Sequence, residues 1–377
     1  MKHRIITPTT ILAIESSFDD TAVAVVVNGT HVLSSVLASQ IPIHQRYGGV
    51  VPEIAARAHV EHIGAMIEHA VSKAFGPGDP RELIKERIDY LAVTVNPGLL
   101  GSLLVGVSAA QTLALSLNKP LIPVNHIVGH IYSNFLVLSQ KIEVKGQKLK
   151  VKSAEYQFPF LTLVASGGHT QLILSTSHHD HRIISQTRDD AAGEAFDKAA
   201  QLLGLEYPGG PSVSVAAQSG DPTRYTLPRG LSKSDTLDFS FSGLKTALLQ
   251  LTEQLKKDGV DIVLETPHLA ASFQEAVVDS LVQKTVLALK HHPVKQLFLA
   301  GGVAANKALR AALERAAKDQ NVPFSVPDYQ YCTDNAAMVG AAAYASTLVK
   351  DQFSWYDVTV ERGVVLPINL TQKDLHA

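Results

Sequence analysis

The feature that most constrains this chain is an apolar hairpin that occurs twice. Ile11 to Ile14 and Thr21 to Val27 are β-branched, apolar runs separated by the polar turn Glu15 to Asp20, the pattern of two antiparallel strands. Pro159 to Ala165 and Thr170 to Ser175 repeat it around a Ser-Gly-Gly-His turn. A hairpin built twice predicts duplicated lobes. The length of 377 residues agrees, since a single hydrophobic core usually stops growing near ~250 residues.

The first hairpin continues into a third apolar segment, His31 to Ala38, then a loop over Arg46 to Pro52 and a helical stretch over Glu53 to Ala74. Tyr90 to Val95, Asn96 to Gly101, Ser102 to Leu117 and Leu121 to Val124 read as strand, turn, helix and strand, a parallel crossover. Late in the chain, Gln296 to Leu299 reads as a strand, Ala300 to Val303 as a glycine turn and Asn306 to Lys318 as a helix. Glycines at such a turn let backbone approach a ligand closely. Two hairpins with small polar turns and a late glycine turn match the α/β superfold shared by actin, hexokinase and the heat-shock chaperones (ASKHA), in which a nucleotide lies between two lobes. The expected lobes are residues 1–131, with 346–377 packing back on them, and 132–345. The second carries a lysine-rich insertion at 141–152, with five lysines and one glutamate, which reads as an exposed loop or hairpin.

Hydrophobic residues make up 46% of the chain and charged residues 18%, so a sizeable core is available and a disordered polymer is excluded. The formal net charge of −2 carries no signature of nucleic-acid binding, so an RNA partner must use local patches. Cys332 is the one cysteine, which excludes internal disulfides and fits a reducing compartment. Met1 to Thr10 shows no long apolar run and no small-residue cleavage site. The uncharged run Leu99 to Leu117 has the length of a membrane span, but its serines, glycines and Gln111, and the strands on both sides, point to a buried helix. A cytoplasmic protein without a membrane partner is expected.

His126 and His130 stand one helical turn apart, after the strand ending at Val124, so both imidazoles share a helix face and could chelate a divalent metal. With 16 histidines in the chain, chance pairs at this spacing also occur. A zinc peptidase carries its general-base glutamate directly after the first histidine. Here that position is Ile127, so the pair suggests metal without proteolysis. Asp334 precedes the alanine-rich helix Ala336 to Ala345 and reads locally as an N-cap. Ser166 to Thr170 could line a phosphate-binding concavity with successive backbone N–H groups, or form a plain hairpin turn. Glu15 to Thr21 supplies acidic groups that could bind a metal or orient a nucleophile, or simply make a turn. Asp189 to Lys198 opens a helix with Asp197 in its interior, Tyr207 to Pro211 is a rigid turn containing Gly210, and Asp238 to Lys245 combines aromatics, hydroxyls and a cation.

Taken in order, Glu15-Ser-Ser-Phe-Asp-Asp-Thr21, Tyr47-Gly-Gly-Val-Val-Pro-Glu53, Asn96-Pro-Gly-Leu-Leu-Gly101, His126 to His130, Ser166 to Thr170, Asp189 to Lys198, Asp238 to Lys245 and Cys332 to Met338 resemble the TsaD family. The resemblance is to the bacterial type, with archaeal, eukaryotic and mitochondrial relatives. It implies transfer of a threonylcarbamoyl group from threonylcarbamoyl-AMP to N6 of the adenosine beside the anticodon, in tRNAs reading codons that begin with A, forming t6A. It further implies that His126, His130 and Asp334 hold one divalent ion per subunit, Fe2+ favoured over Zn2+. Val164, Ala165, Ser166, Gly167, Gly168, Asp197, Gly210 and Asn306 would line the adenylate pocket, with Asp19 near the reacting groups as the catalytic carboxylate. The loop from His44 to His59 would face tRNA, and the implied protein partners are a TsaB-like paralogue and a TsaE-like ATPase. Phe18 stands where the family often has cysteine, Ser16 where it often has threonine, and Asn125 where it often has a further histidine. Three rival readings are a metallo-endopeptidase acting on glycoproteins, a small-molecule kinase of the same superfold, and a nucleotide-sensing scaffold.

Overall fold

The computed structural model describes residues 8–137, 157–350, 353–355 and 358–360; the lysine-rich insertion lies outside them. The described residues divide into two compact units. The first holds residues up to 137, His178–Asp180 and those from Asp334 on, and the second Gln157–Ser177 and His181–Thr333.

The first unit begins with strands β1 (Thr10–Glu15), β2 (Asp20–Val27) and β3 (His31–Ser39). β2 pairs antiparallel with both neighbours, and Asp20 lies opposite Ser39. Helix α1 (Ile41–His44) comes next, and of the loop read over Arg46 to Pro52, Arg46 and Tyr47 lie in a 3-10 turn (Gln45–Tyr47) and Pro52 opens α2 (Pro52–Phe75). Pro42 and Pro52 sit in the first turns of these helices, where a missing N–H breaks no hydrogen bond. Then follow α3 (Pro80–Arg87), β4 (Tyr90–Asn96), α4 (Leu100–Leu117), β5 (Leu121–Asn125) and α5 (His126–Tyr132). The sheet order is β3-β2-β1-β4-β5, with β1, β4 and β5 parallel.

In the second unit, β6 (Phe160–Ala165), β7 (Thr170–Ser177) and β8 (Asp180–Gln186) are followed by α6 (Ala192–Leu202), α7 (Gly209–Ala217), α8 (Ser242–Lys257) and α9 (Ile262–His291). β9 (Gln296–Ala300), α10 (Lys307–Asp319) and β10 (Phe324–Ser325) complete it. The order β10-β9-β6-β7-β8 reproduces the first sheet strand for strand, again with an antiparallel hairpin beside parallel neighbours. The predicted duplication is present. The segment Tyr207 to Pro211 is not a free-standing turn, because its glycines open α7.

Helix α11 (Ala336–Thr347) was expected with the later lobe, yet it packs on the strands of the first sheet and on α5. Its side chains are small and almost all buried. A Cβ on Gly340 would come within 2.7 Å of Val26 Cγ2, so only glycine permits this separation. Such a helix cannot stand in water alone, and each buried apolar residue it covers contributes about 1–3 kcal/mol.

Helix α4 is, among the described residues, long and apolar enough to cross a membrane by length and composition, with a third of it buried in the fold. The buried helix read from the sequence is buried on one face only: Ser102, Leu103, Gly106, Val107, Ala110 and Ala114 face inward, while Leu104 and Leu115 are exposed. Gln111 Nε2 donates to the carbonyls of Trp355 and Val358 at 3.2 and 2.8 Å, which lays that late segment along α4.

Candidate metal centre and nucleotide-binding turn

The parallel strand β5 ends at Asn125, whose side chain accepts hydrogen bonds from the N–H groups of Ile127 and Val128 at 2.9 and 3.2 Å. Asn125 therefore caps α5 and starts the helix at the first histidine. One turn then sets His126 and His130 side by side, their ring centroids 4.7 Å apart. At the start of α11 the cap is Asn335, which accepts from Met338 N–H at 2.9 Å. Asp334 is thereby left out of the cap predicted for it. Its Oδ1 lies 3.4 Å from His126 Nε2 and 3.2 Å from His130 Nε2. The ligand atoms of these three residues lie within 4.8 Å of one another.

This donor set fits a divalent cation. Two imidazole nitrogens and a carboxylate oxygen converge, and neither buried nitrogen of His130 has a hydrogen-bond partner among the described residues. A bound cation would supply the partner that Nε2 lacks.

Sequence reasoning missed Glu15 as the residue behind the first histidine. Glu15 is fully buried at the end of β1. Its Oε2 lies 3.1 Å from His126 Nδ1 and accepts from Thr94 Oγ1 at 2.7 Å, and its Oε1 accepts from Ser17 N–H at 2.6 Å. A carboxylate on Nδ1–H fixes the tautomer and leaves Nε2 for the metal side. A local signal existed: a lone acid ending an apolar strand must meet a partner inside.

Charge settles the protonation of the group. Burial raises the Glu15 carboxyl, but the adjacent His126 outweighs it and leaves the pKa lowered. Burial works against the His126 imidazolium, yet Asp334 and Glu15 on its two sides hold its pKa up to about 10. Burial lowers His130, and against burial the two histidines hold Asp334 well below the usual carboxylate range. Asp19 lies half-buried on the turn after Glu15, outside the convergent trio. Its neighbour Asp20 has a buried Oδ1 without a hydrogen bond among the described residues, and burial raises its carboxyl to about 6. The base of this turn rests on the start of α4, where Ser16 Oγ donates to Ser102 O at 3.0 Å and Leu99 N–H to Ser17 O at 2.8 Å.

The second unit places the Ser-Gly-Gly-His turn between β6 and β7. Ser166 N–H donates to His169 O at 2.8 Å, and His169 N–H to Ser166 Oγ at 3.1 Å, so the turn is braced from within. Gly167 and Gly168 are exposed, with open space above both, while Val164 and Ala165 are buried in the strand. Gly193, in the first turn of α6, donates to Ser166 O at 3.1 Å. A Cβ there would lie 2.6 Å from that oxygen and 2.8 Å from Gly167 Cα. The helix N-terminus thus abuts the turn, as anion-binding turns require.

Asp197 Oδ1 accepts from Gly209 N–H at 2.7 Å, and burial raises its carboxyl. Gly210 has open space where a side chain would be. Asn306 caps α10 by accepting from Leu309 N–H at 3.0 Å, and its amide donates to Ser214 Oγ and Gln274 Oε1 at 2.9 and 2.8 Å.

The tRNA N6-adenosine threonylcarbamoyltransferase (TsaD) family model matches residues 31–341. Curated proteins of that name from Bacillus cereus and Kosmotoga olearia are 49% and 47% identical over 335 and 334 residues. Each alignment covers 89% of this chain, and 90% and 92% of the respective relative. Two solved structures, full-length HypF in its phosphate- and nucleotide-bound form and T. kodakarensis HypF, superpose with TM-scores of 0.54 and 0.55 at 14% and 13% identity. They cover 92% and 91% of this chain, which spans 47% and 49% of theirs, and this likeness speaks to the fold alone.

Proposed function

Belonging as it does to the TsaD family, the chain is a transferase that places a threonylcarbamoyl group on N6 of adenosine in tRNA, and we propose that threonylcarbamoyl-AMP is the donor, that the adenosine beside the anticodon is the acceptor, and that the side chains described above divide the work as follows. His126, His130 and Asp334 hold one divalent ion, Fe2+ in this reading, with Zn2+ the alternative that the same ligands accept. Held there, such an ion would supply Lewis-acid chemistry to the acyl donor and would offset charge on the departing AMP. Glu15 keeps His126 in the ligating tautomer. Ser166, Gly167 and Gly168 present backbone to the phosphate, with Val164 and Ala165 behind them and Asp197, Gly210 and Asn306 around the nucleoside. The adenine N6 amine is a weak nucleophile, so orienting it contributes most. Asp19 is the proposed acceptor of the proton it sheds.

The observation that carries this reading is the convergence of two imidazoles on one helical turn with a carboxylate from the remote start of α11. The buried, apolar Ile127 beside them supplies no peptidase base. Further members of the proposal are a cytoplasmic location and a TsaB-like paralogue and TsaE-like ATPase as partners. Incubation with tRNA, threonine, bicarbonate, ATP and those partners, followed by nucleoside mass analysis, should yield the modified base. The double change His126→Ala, His130→Ala should abolish it; undiminished product would show that the metal has no part in transfer.

A further inference from the structure

Helix α2 and the segment before it carry buried polar side chains that no step above employs. His59 is fully buried. Its Nε2 lies 3.0 Å from the carbonyl oxygen of Phe18 and its Nδ1 2.7 Å from Thr21 Oγ1. The carbonyl only accepts, so Nε2 carries the hydrogen and Nδ1 receives the hydroxyl's. Burial lowers the pKa of this imidazole, consistent with the neutral form. One side chain thus clamps both ends of the four-residue segment that contains Asp19 and Asp20.

The carbonyl of Ala55, one helical turn before His59, accepts from Gln40 Nε2 at 3.3 Å. Gln40 Oε1 accepts from His44 Nε2 at 3.1 Å, and His44 Nδ1 accepts from Val51 N–H at 3.3 Å. Gln40 and His44 are as buried as His59. Asp20, at the end of that turn, pairs with Ser39 across β2 and β3, next to Gln40. Segment 41–51 is therefore tied to the acidic turn by two routes, one along α2 and one through Asp20. Its outer face exposes Arg46 and Tyr47, the tyrosine 61% exposed, a cation beside an aromatic side chain of the kind on which unpaired bases stack. Packing alone would be served by apolar side chains without the cost of desolvating three polar ones.

We propose that His59 is a positioning residue for the transfer reaction, fixing the turn Phe18–Thr21 and coupling it, through α2 and the Gln40–His44 pair, to segment 41–51 as the seat of an RNA loop. The idea rests on the transfer reading above.

The test is steady-state kinetics of the full chain in the reconstituted reaction, with tRNA and threonylcarbamoyl-AMP varied separately and metal content measured for each variant. His59→Leu is expected to lower kcat by roughly 10-fold or more with KM values within about 2-fold of wild type, as small misplacements of reacting groups do. His59→Gln, whose amide can donate to the Phe18 carbonyl, should recover most of the rate. Thr21→Val should lower kcat part-way, and Gln40→Leu should raise KM for tRNA. A wild-type kcat in His59→Leu, or equal losses in His59→Leu and His59→Gln, overturns the proposal. If circular dichroism shows His59→Leu unfolded, Thr21→Val decides, and an unchanged kcat there overturns it. Failure of the wild type to form the modified nucleoside would sink the transfer reading instead.

Discussion

Glu15 Oε2 sits 3.1 Å from His126 Nδ1, the ring nitrogen opposite the one that meets Asp334. The acid at the end of the first strand therefore governs which nitrogen of a histidine far along the chain is available to a cation. Glu15→Gln keeps the shape but loses the charge-assisted bond, and should weaken metal affinity by about 10- to 100-fold. Competition against a chelator measures it, and unaltered affinity would remove Glu15 from the account.

Metal binding should also move a proton. Asp334 and Glu15 hold the His126 pKa up to about 10 despite burial, so at neutral pH the incoming ion must displace that proton. About one proton should be released per ion, with affinity rising as pH rises toward about 10. Calorimetry in two buffers of different ionisation enthalpy counts the protons, and a count near zero contradicts an imidazolium held between Asp334 and Glu15.

Asp20 makes the opposite kind of statement, about stability. Burial raises its carboxyl from 3.8 to about 6, so the unfolded chain ionises first as pH climbs. The folded state then loses stability through that window, and the cost stays in full above it. Asp20→Asn should be more stable than wild type at neutral pH by about 1–2 kcal/mol, with the gap closing near pH 4. Urea titrations across that range test the sign, and a variant less stable at neutral pH would refute it.

Gly193→Ala places a methyl group against Ser166 O and Gly167 Cα, where a Cβ would lie only 2.6 and 2.8 Å away. The turn must shift, at a cost of about 1–3 kcal/mol. Nucleotide affinity measured with AMP should fall about 10-fold or more, with metal content unchanged. An unaffected affinity would separate this turn from nucleotide binding.

Much of the fold was legible because its signals are local. The apolar runs of β1, β2, β6 and β7 with the polar turns between them, and the spacing of His126 and His130, each lie within a few residues. The short helical turns at 41–47 escaped notice because four-residue helices lack a period to read. The placement of α11 was misjudged because an alanine-rich helix buried on every side has no polar face to show which sheet it meets. Two adjacent residues, Asp334 and Asn335, could each have capped that helix. Only tertiary structure shows that Asn335 does so, leaving Asp334 to the histidines. Glu15 and Gly193 looked like ordinary turn and helix residues because their partners are remote in sequence.

The return of α11 to the first sheet has a consequence for how the molecule is made. A ribosome that has released everything through Thr333 has delivered both histidines and the whole of the second unit, but neither Asp334 nor the helix that covers the first sheet. The nascent N-terminal unit must wait, with an apolar face uncovered, until the second unit has been made and α11 follows it. A chain stopped before Asp334 would carry only two of the three proposed ligands.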